Sequence, residues 1–140
     1  MIVRCRATTP PASQAGRLRG YGRQQRERLE LEHDYVVIGL QLETDSLIWG
    51  SGVWVQLADG DGLLIVPLCL FDVIDSRLPR RWEVRRWEDE SVTMWPPAFY
   101  AEYFHDDLAA AKAPAVEAFR RVRDALEIEA RTSTNPGPSR

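Results

Sequence analysis

The stretch GVWVQLADGDGLLIVPLCLF, Gly52 to Phe71, constrains the fold more than any other. Its first part alternates, with Val53, Val55 and Leu57 on one side of an extended chain. Period-two alternation marks a strand with one buried face. Asp59-Gly60-Asp61-Gly62 follows, and glycine at positive φ suits the tight turns that match strand twist. The apolar run after it reads as a strand buried on both faces, with Pro67 ending its ladder for want of an N–H. An antiparallel hairpin is therefore the seed of the fold.

Further strands extend the seed. In YVVIGLQLE, Val36, Ile38, Leu40 and Leu42 share one face, with Gln41 and Glu43 on the other. TDSLIWGSG carries turn chemistry, and DVIDSRLP reads as a short helical turn or loop. WEVRRW and SVTMW, joined by EDE, make a second hairpin. With Trp87 opposite Val92, Arg86 falls near Thr93 and Val84 near Trp95. Trp82, Val84 and Trp95 then share one face, and Trp87, Val92 and Met94 the other.

The period changes after Pro96-Pro97, since proline suits a helix start. AFYAEYFHDDL reads as a short helix, and Pro114 opens a longer one. There Val116, Phe119, Val122, Leu126 and Ala130 form one apolar stripe. Glu117 with Arg121, Arg120 with Asp124, Arg123 with Glu127 and Glu127 with Arg131 are spaced as i,i+4 ion pairs. An amphipathic helix of this kind needs a sheet to lie against. The expected class is α+β: an antiparallel sheet of four to five strands packed by a C-terminal amphipathic helix.

Charge and composition set the expected boundaries. Residues 1–33 have a net charge of +4, and residues 34–131 a net charge of −8. The leader, rich in Arg, Pro, Ser and Thr, is expected to be disordered and dispensable. Residues 34–131 are the expected single domain, and 132–140 an expected disordered tail. The two cysteines lie far apart, and Cys69 sits in the apolar run as a small buried hydrophobe. No disulfide framework is implied, and a reducing cytoplasm fits. The N-terminus lacks the apolar stretch of a secretory signal. The apolar run from Leu63 to Phe71 is far shorter than a membrane helix requires.

RRWEVRRWEDESVTMWPP, Arg80 to Pro97, concentrates tryptophan and arginine. Its rings suit base stacking, but phosphate binding needs a positive field. The acidic domain does not supply one, so a structural hairpin is expected, with arginines lying on indole faces. Nucleic-acid binding through the basic N-terminal arm is an alternative. In AEYFHDD, helical spacing would bring Glu102, His105 and Asp106 together for a metal, or orient His105 as a general base. The 102–107 cluster is thus the enzyme or metal alternative, although no third ligand element has matching spacing. No nucleophile elbow, complete calcium loop or phosphate-cradling glycine loop is present.

LADGDGLLIVPLCLF, RRWEV and MWPPAFYAEYFHDDL together give a DG turn, a strand ending in VPL, a Trp-led segment and WP before an acidic stretch. In this, residues 55–108 resemble a small bacterial family of unknown function often encoded near toxin–antitoxin operons. The resemblance implies a small α+β domain and carries no catalytic residue. The leading expectation is a non-enzymatic protein-binding module, an antitoxin or immunity-like partner protein. Helical spacing pairs Phe99 with Tyr103 and Tyr100 with Phe104, so one aromatic pair should be exposed. Phe99, Tyr100, Glu102, Tyr103, Asp106 and Asp107 are the expected contact residues, and their acids favour a partner with a basic surface. No catalytic residue, cofactor or metal is assigned, and neither specific nucleic-acid binding by the domain nor membrane binding is expected.

Overall fold

The computed structural model describes residues 1–134. Seven strands make one antiparallel sheet: β1 (Ile2–Cys5), β2 (Asp34–Ser46), β3 (Gly50–Asp59), β4 (Gly62–Pro67), β5 (Phe71–Asp75), β6 (Glu83–Arg86) and β7 (Val92–Trp95). The helices are α1 (Ala12–Ala15), α2 (Arg23–Arg28), α3 (Phe104–Ala109) and α4 (Ala113–Thr134), with 3₁₀ turns at Leu68–Leu70 and Pro97–Tyr100. The class is α+β, with α4 packed on the sheet. The sheet exceeds four to five strands because β1 and β5 lie in segments whose sequence reads as leader and loop.

The main path runs β4-β3-β2-β1-β5. β2 shares one edge between two neighbours, β1 beside Asp34–Val36 and β7 beside Leu40–Leu42. β4 and β5 lie at opposite ends of the path, yet only Leu68–Leu70 separates them in sequence. A flat path of five strands would hold its edges about 19 Å apart. Four Cα steps reach about 14 Å at most, and a 3₁₀ turn shortens them. The sheet must therefore roll. Val3, Cys5, Val37, Leu40, Val55, Leu57, Leu64, Val66 and Leu70 fill the inside of the roll.

The leader belongs to this core, which corrects the expectation of disorder for residues 1–33. β1 is inserted between β2 and β5, and Met1, Val3 and Cys5 are buried. Alternation of Val3 and Cys5 with arginine is itself a strand pattern. The basic charge that reads as solvating is neutralised locally: Arg4 bonds Asp34 at 2.6 Å, and Arg6 bonds Asp72 at 2.6 Å and also Glu32. Further along, Ser51 N–H donates to the Arg17 carbonyl at 2.7 Å. A Cβ at Gly50 would lie 2.1 Å from that carbonyl, and Gly50 has φ of 71°, so only glycine fits the contact. At the other end, residues 132–134 continue α4, and the remainder of the expected tail lies outside the described residues.

A β-bulge interrupts β2. Val37 pairs with Leu57 and Gly39 with Gln56, leaving Ile38 as the extra residue. The bulge reverses the alternation. Val36 and Ile38 consequently pack with the helices, whereas Val37 and Leu40 point into the roll. The expected single face of Val36, Ile38, Leu40 and Leu42 is split by this one residue.

Phe119 of α4 is fully buried in a cluster with Ala115 and Leu126, Val116 and Val122 are partly covered, and Ala130 is buried further along the helix. Burying one such ring contributes about 2–3 kcal/mol. Of the expected helix pairs, Glu117–Arg121 and Glu127–Arg131 form. Arg120 and Arg123 instead reach Asp61, at 2.6 and 3.5 Å, fastening α4 to the β3–β4 turn. Gly60 in that turn has φ of 60°.

Three local expectations change. The β6–β7 hairpin pairs Arg86 with Val92 and Val84 with Met94, one residue away from the expected register. Residues 99–107 are not one helix. The 3₁₀ turn ends at Tyr100, Tyr103 is left-handed with φ of 62°, and α3 starts only at Phe104. Phe99 drives this break by stacking on Phe104 at 4.6 Å inside the core. Cys69 is exposed at the 3₁₀ turn after β4, because Pro67 ends the strand before it; both cysteines are free. Among the described residues, no helix is long and apolar enough to cross a membrane.

Candidate functional site

The helices cover only part of the outer sheet face. Ile38, Phe99, Phe104, Leu108, Phe119 and Leu126 form the covered core. Beyond His105 the same face opens as a cleft of about 480 Å³. Its floor comes from Gln41 and Glu43 of β2, Gln56 of β3, Ile65 of β4 and Thr93 and Trp95 of β7. Trp49 and Ile48, from the β2–β3 loop, form one wall. Trp87, Asp89 and Ser91, from the β6–β7 hairpin, form another, and His105 and Asp106 of α3 close the end.

The floor is polar where a sheet face under cover would be apolar. Gln56 is completely buried and Gln41 nearly so. Gln56 Nε2 donates to Gln41 Oε1 at 3.1 Å, and Gln41 Nε2 donates to Glu43 Oε1 at 3.1 Å. At the other end Gln56 Nε2 lies 3.4 Å from His105 Nε2, which accepts when the imidazole is neutral. A hydrogen-bonded row thus crosses the sheet from Glu43 to His105. Gly39 makes room for it: a Cβ there would lie 2.8 Å from Gln56 Oε1 and 3.0 Å from the Trp95 ring. Gln56 Oε1 and Trp95 Nε1 are buried with no hydrogen-bond partner among the described residues.

The tryptophan wall is held in place rather than loosely packed. Trp87 Nε1 donates to Thr93 Oγ1 at 3.0 Å. Thr93 Oγ1 lies 2.8 Å from the Tyr100 hydroxyl, which donates to the Glu83 carbonyl at 2.7 Å. The Trp87, Trp95 and Tyr100 rings form one array, with Trp95 and Tyr100 4.9 Å apart. Trp87 nevertheless keeps 41% of its surface exposed.

The electrostatics are one-sided. Glu43, Asp89 and Asp106 line the cleft, and among its described lining residues there is no Lys or Arg. Burial pushes the Glu43 carboxyl above its ordinary range, and the nearby Asp89 charge adds to that. Asp89 itself is lowered by hydrogen bonds from Ser91. Burial lowers His105, partly opposed by Asp106, which favours the neutral imidazole that the glutamine row requires.

Of the six expected contact residues, only Asp106 lines this cleft. Phe99 is core. Tyr100 is fixed beside Trp87, with the Arg85 guanidinium 4.0 Å over its ring. Glu102 and Tyr103 are exposed on the bend before α3, and Asp107 pairs with Lys112 at 3.3 Å. Because α3 begins after Glu102, the helical convergence of Glu102 with His105 does not occur. Among the described residues, no three His, Cys, Asp or Glu side chains gather as a metal site. In the leader, Arg4, Arg6, Arg23 and Arg28 are paired with acids. Sequence reasoning missed Gln41, Gln56, Thr93 and the Trp49 and Trp87 walls. The available signal was a glutamine inside each of two strands otherwise apolar on that stretch, Gln41 in VVIGLQL and Gln56 in VWVQL.

No family model, curated protein or solved structure matches the chain.

Proposed function

We propose that the chain is a non-enzymatic protein-binding module whose tryptophan-walled cleft receives a basic segment of a partner protein. The observation that carries this reading is the combination of exposed, hydrogen-bonded Trp87 with three cleft carboxylates and no Lys or Arg among the described lining residues. Aromatic anchors in partly desolvated pockets are the usual source of binding energy at interfaces. Unbalanced negative charge selects the sign of the partner and speeds encounter. The contact surface moves from the stripe Phe99–Asp107 to the cleft on the far side of α3, with Asp106 common to both. A partner protein of this kind suits an antitoxin or immunity-like role, and two free thiols suit the cytoplasm.

The test is retention of a protein from an extract of the native cells, identified by mass spectrometry and compared among variants. Trp87→Ala and Glu43→Gln should each lower retention of the same partner at least tenfold, and raised salt should weaken it. Retention unchanged in both variants overturns the assignment of the cleft.

A further inference from the structure

Resting on that reading, we infer that the group seated in the cleft is an arginine guanidinium, held flat against the indole of Trp87 or Trp95 and bonded to the cleft carboxylates. Three properties point to it. The cleft is lined by flat rings, Trp49 and Trp87 in its walls and Trp95 in its floor, and a guanidinium is planar and weakly hydrated, so it stacks on indole at less desolvation cost than an ammonium. The acceptors are spread around the cleft and not gathered at one point. Glu43 uses Oε1 for Gln41, Asp89 uses Oδ1 for Ser91, and Asp106 makes no side-chain hydrogen bond or ion pair among the described residues, so each has at least one oxygen to offer. Five N–H donors in a plane serve such a spread better than three on a single nitrogen. Third, the protein already holds a guanidinium this way on another ring of the same array. Arg85 lies 4.0 Å over Tyr100, whose ring stacks on Trp87. Trp87 and Trp95 of that array line the cleft beside its acids, and no arginine is among its described lining residues.

The charge balance agrees. The Asp89 charge adds to the cost of ionising the half-buried Glu43, and neither is in an ion pair among the described residues. A bound cation relieves that repulsion, whereas a neutral or anionic guest leaves it or adds to it.

The probes are three capped tripeptides, acetyl-Gly-X-Gly-amide, with X arginine, lysine or the neutral isostere citrulline, titrated into the full chain. Indole N–H resonances report binding. The arginine peptide should shift the Trp87 and Trp95 signals saturably, with a Kd at least about tenfold below that of the lysine peptide. Citrulline should produce no saturable shift. Trp87→Ala and Glu43→Gln should each weaken the arginine peptide at least fivefold while the chain still melts cooperatively. Equal binding of arginine and lysine overturns the guanidinium assignment but leaves a basic partner in the cleft. Equal binding of citrulline overturns both. Absence of any arginine-peptide shift, with partner retention still sensitive to Trp87→Ala, overturns the guanidinium assignment alone.

Discussion

The two faces of the rolled sheet are finished differently. The inner face is sealed all round by apolar side chains from five strands and by Leu29 and Leu70. The outer face is sealed only where α3 and α4 cross it; past His105 it carries Gln41, Gln56 and Thr93 and opens to solvent. A protein gains stability by burying apolar area, so a buried polar row beside an open cleft is not what packing alone would select. The contrast teaches where to look for function. The inner face and the helix-covered half account for why the chain folds, and the open half is left over by that account.

The contrast breaks first, and most severely, at the N-terminus. Deleting residues 1–6 removes a strand between β2 and β5 and takes Val3 and Cys5 out of the inner face. We expect loss of the cooperative thermal transition, followed by circular dichroism. A truncated chain melting within a few degrees of the full one would show that the inner face does not depend on the leader.

Substitutions on the outer face should sort by half. Phe119→Ala, under α4, should cost about 3–5 kcal/mol, the range for emptying a buried phenyl site. Trp87→Ala, on the open half, should cost about 1–2 kcal/mol. It removes one hydrogen bond, to Thr93, and partly exposed area. Urea midpoints at constant m-value separate the two. Similar losses for both would mean that the open half is core like the rest. Replacing Gln41 and Gln56 together by leucine sharpens the point. Because both partners of the central hydrogen bond go at once, stability should change by about 1 kcal/mol or less. Binding of a basic guest should be lost at least tenfold.

Much of the inner face and of the covered half was legible in the sequence. The DG turn, the alternation of Val53, Val55 and Leu57 and the stripe through Phe119 and Leu126 are short-range patterns, and the packing obeys them. The open half was not legible, because its residues meet through long-range register. Gln41 and Gln56 face each other only because the bulge at Ile38 reverses the alternation of β2, and a bulge has no fixed sequence mark. The hairpin register, off by one, regrouped Trp87 with Thr93 and Tyr100. β1 escaped notice for a different reason: Arg4 and Arg6 read as solvating until Asp34, Glu32 and Asp72 are seen beside them.

The row linking the two halves should titrate. His105 packs against Trp95, Phe99 and Phe104, with the Gln56 amide at its Nε2 and Asp106 as its adjacent charge. Burial holds its folded pKa below the ordinary 6.5. As pH falls, the unfolded chain therefore takes up the proton first. Stability from the neutral buried ring is complete above about pH 6.5 and is lost below it, until folded His105 itself titrates. Glu43 has the opposite sign. Its pKa is raised from the ordinary 4.5, so folding holds its proton more tightly and gains as pH falls toward 4.5. Thermal midpoints between pH 7.5 and 5 should fall just below 6.5 in the natural chain and stay flatter in His105→Gln. Equal slopes in the two chains would remove His105 from the account.

The smallest expected effect tests whether the Trp87 wall is set by its hairpin. The β6–β7 loop is Glu88-Asp89-Glu90, closed by Trp87 N–H to Ser91 O at 2.9 Å and Glu90 N–H to Trp87 O at 3.0 Å. Glu90 must adopt φ of 68° to make this turn. A left-handed conformation costs a non-glycine residue about 1–2 kcal/mol, and asparagine bears it better because its short side chain bonds the local backbone. Glu90→Asn should therefore stabilise the chain by about 0.5 kcal/mol, without the added unfolded-state freedom that glycine would bring. It also removes the 4.0 Å pair with Arg86, which is exposed and worth little. If the turn positions the wall, the arginine peptide should bind Glu90→Asn as well as or better than the natural chain, even though a nearby negative charge is gone. Weaker binding with raised stability would mean that Glu90 attracts the guest through its charge, and that the carboxylates of the open half extend beyond the cleft itself.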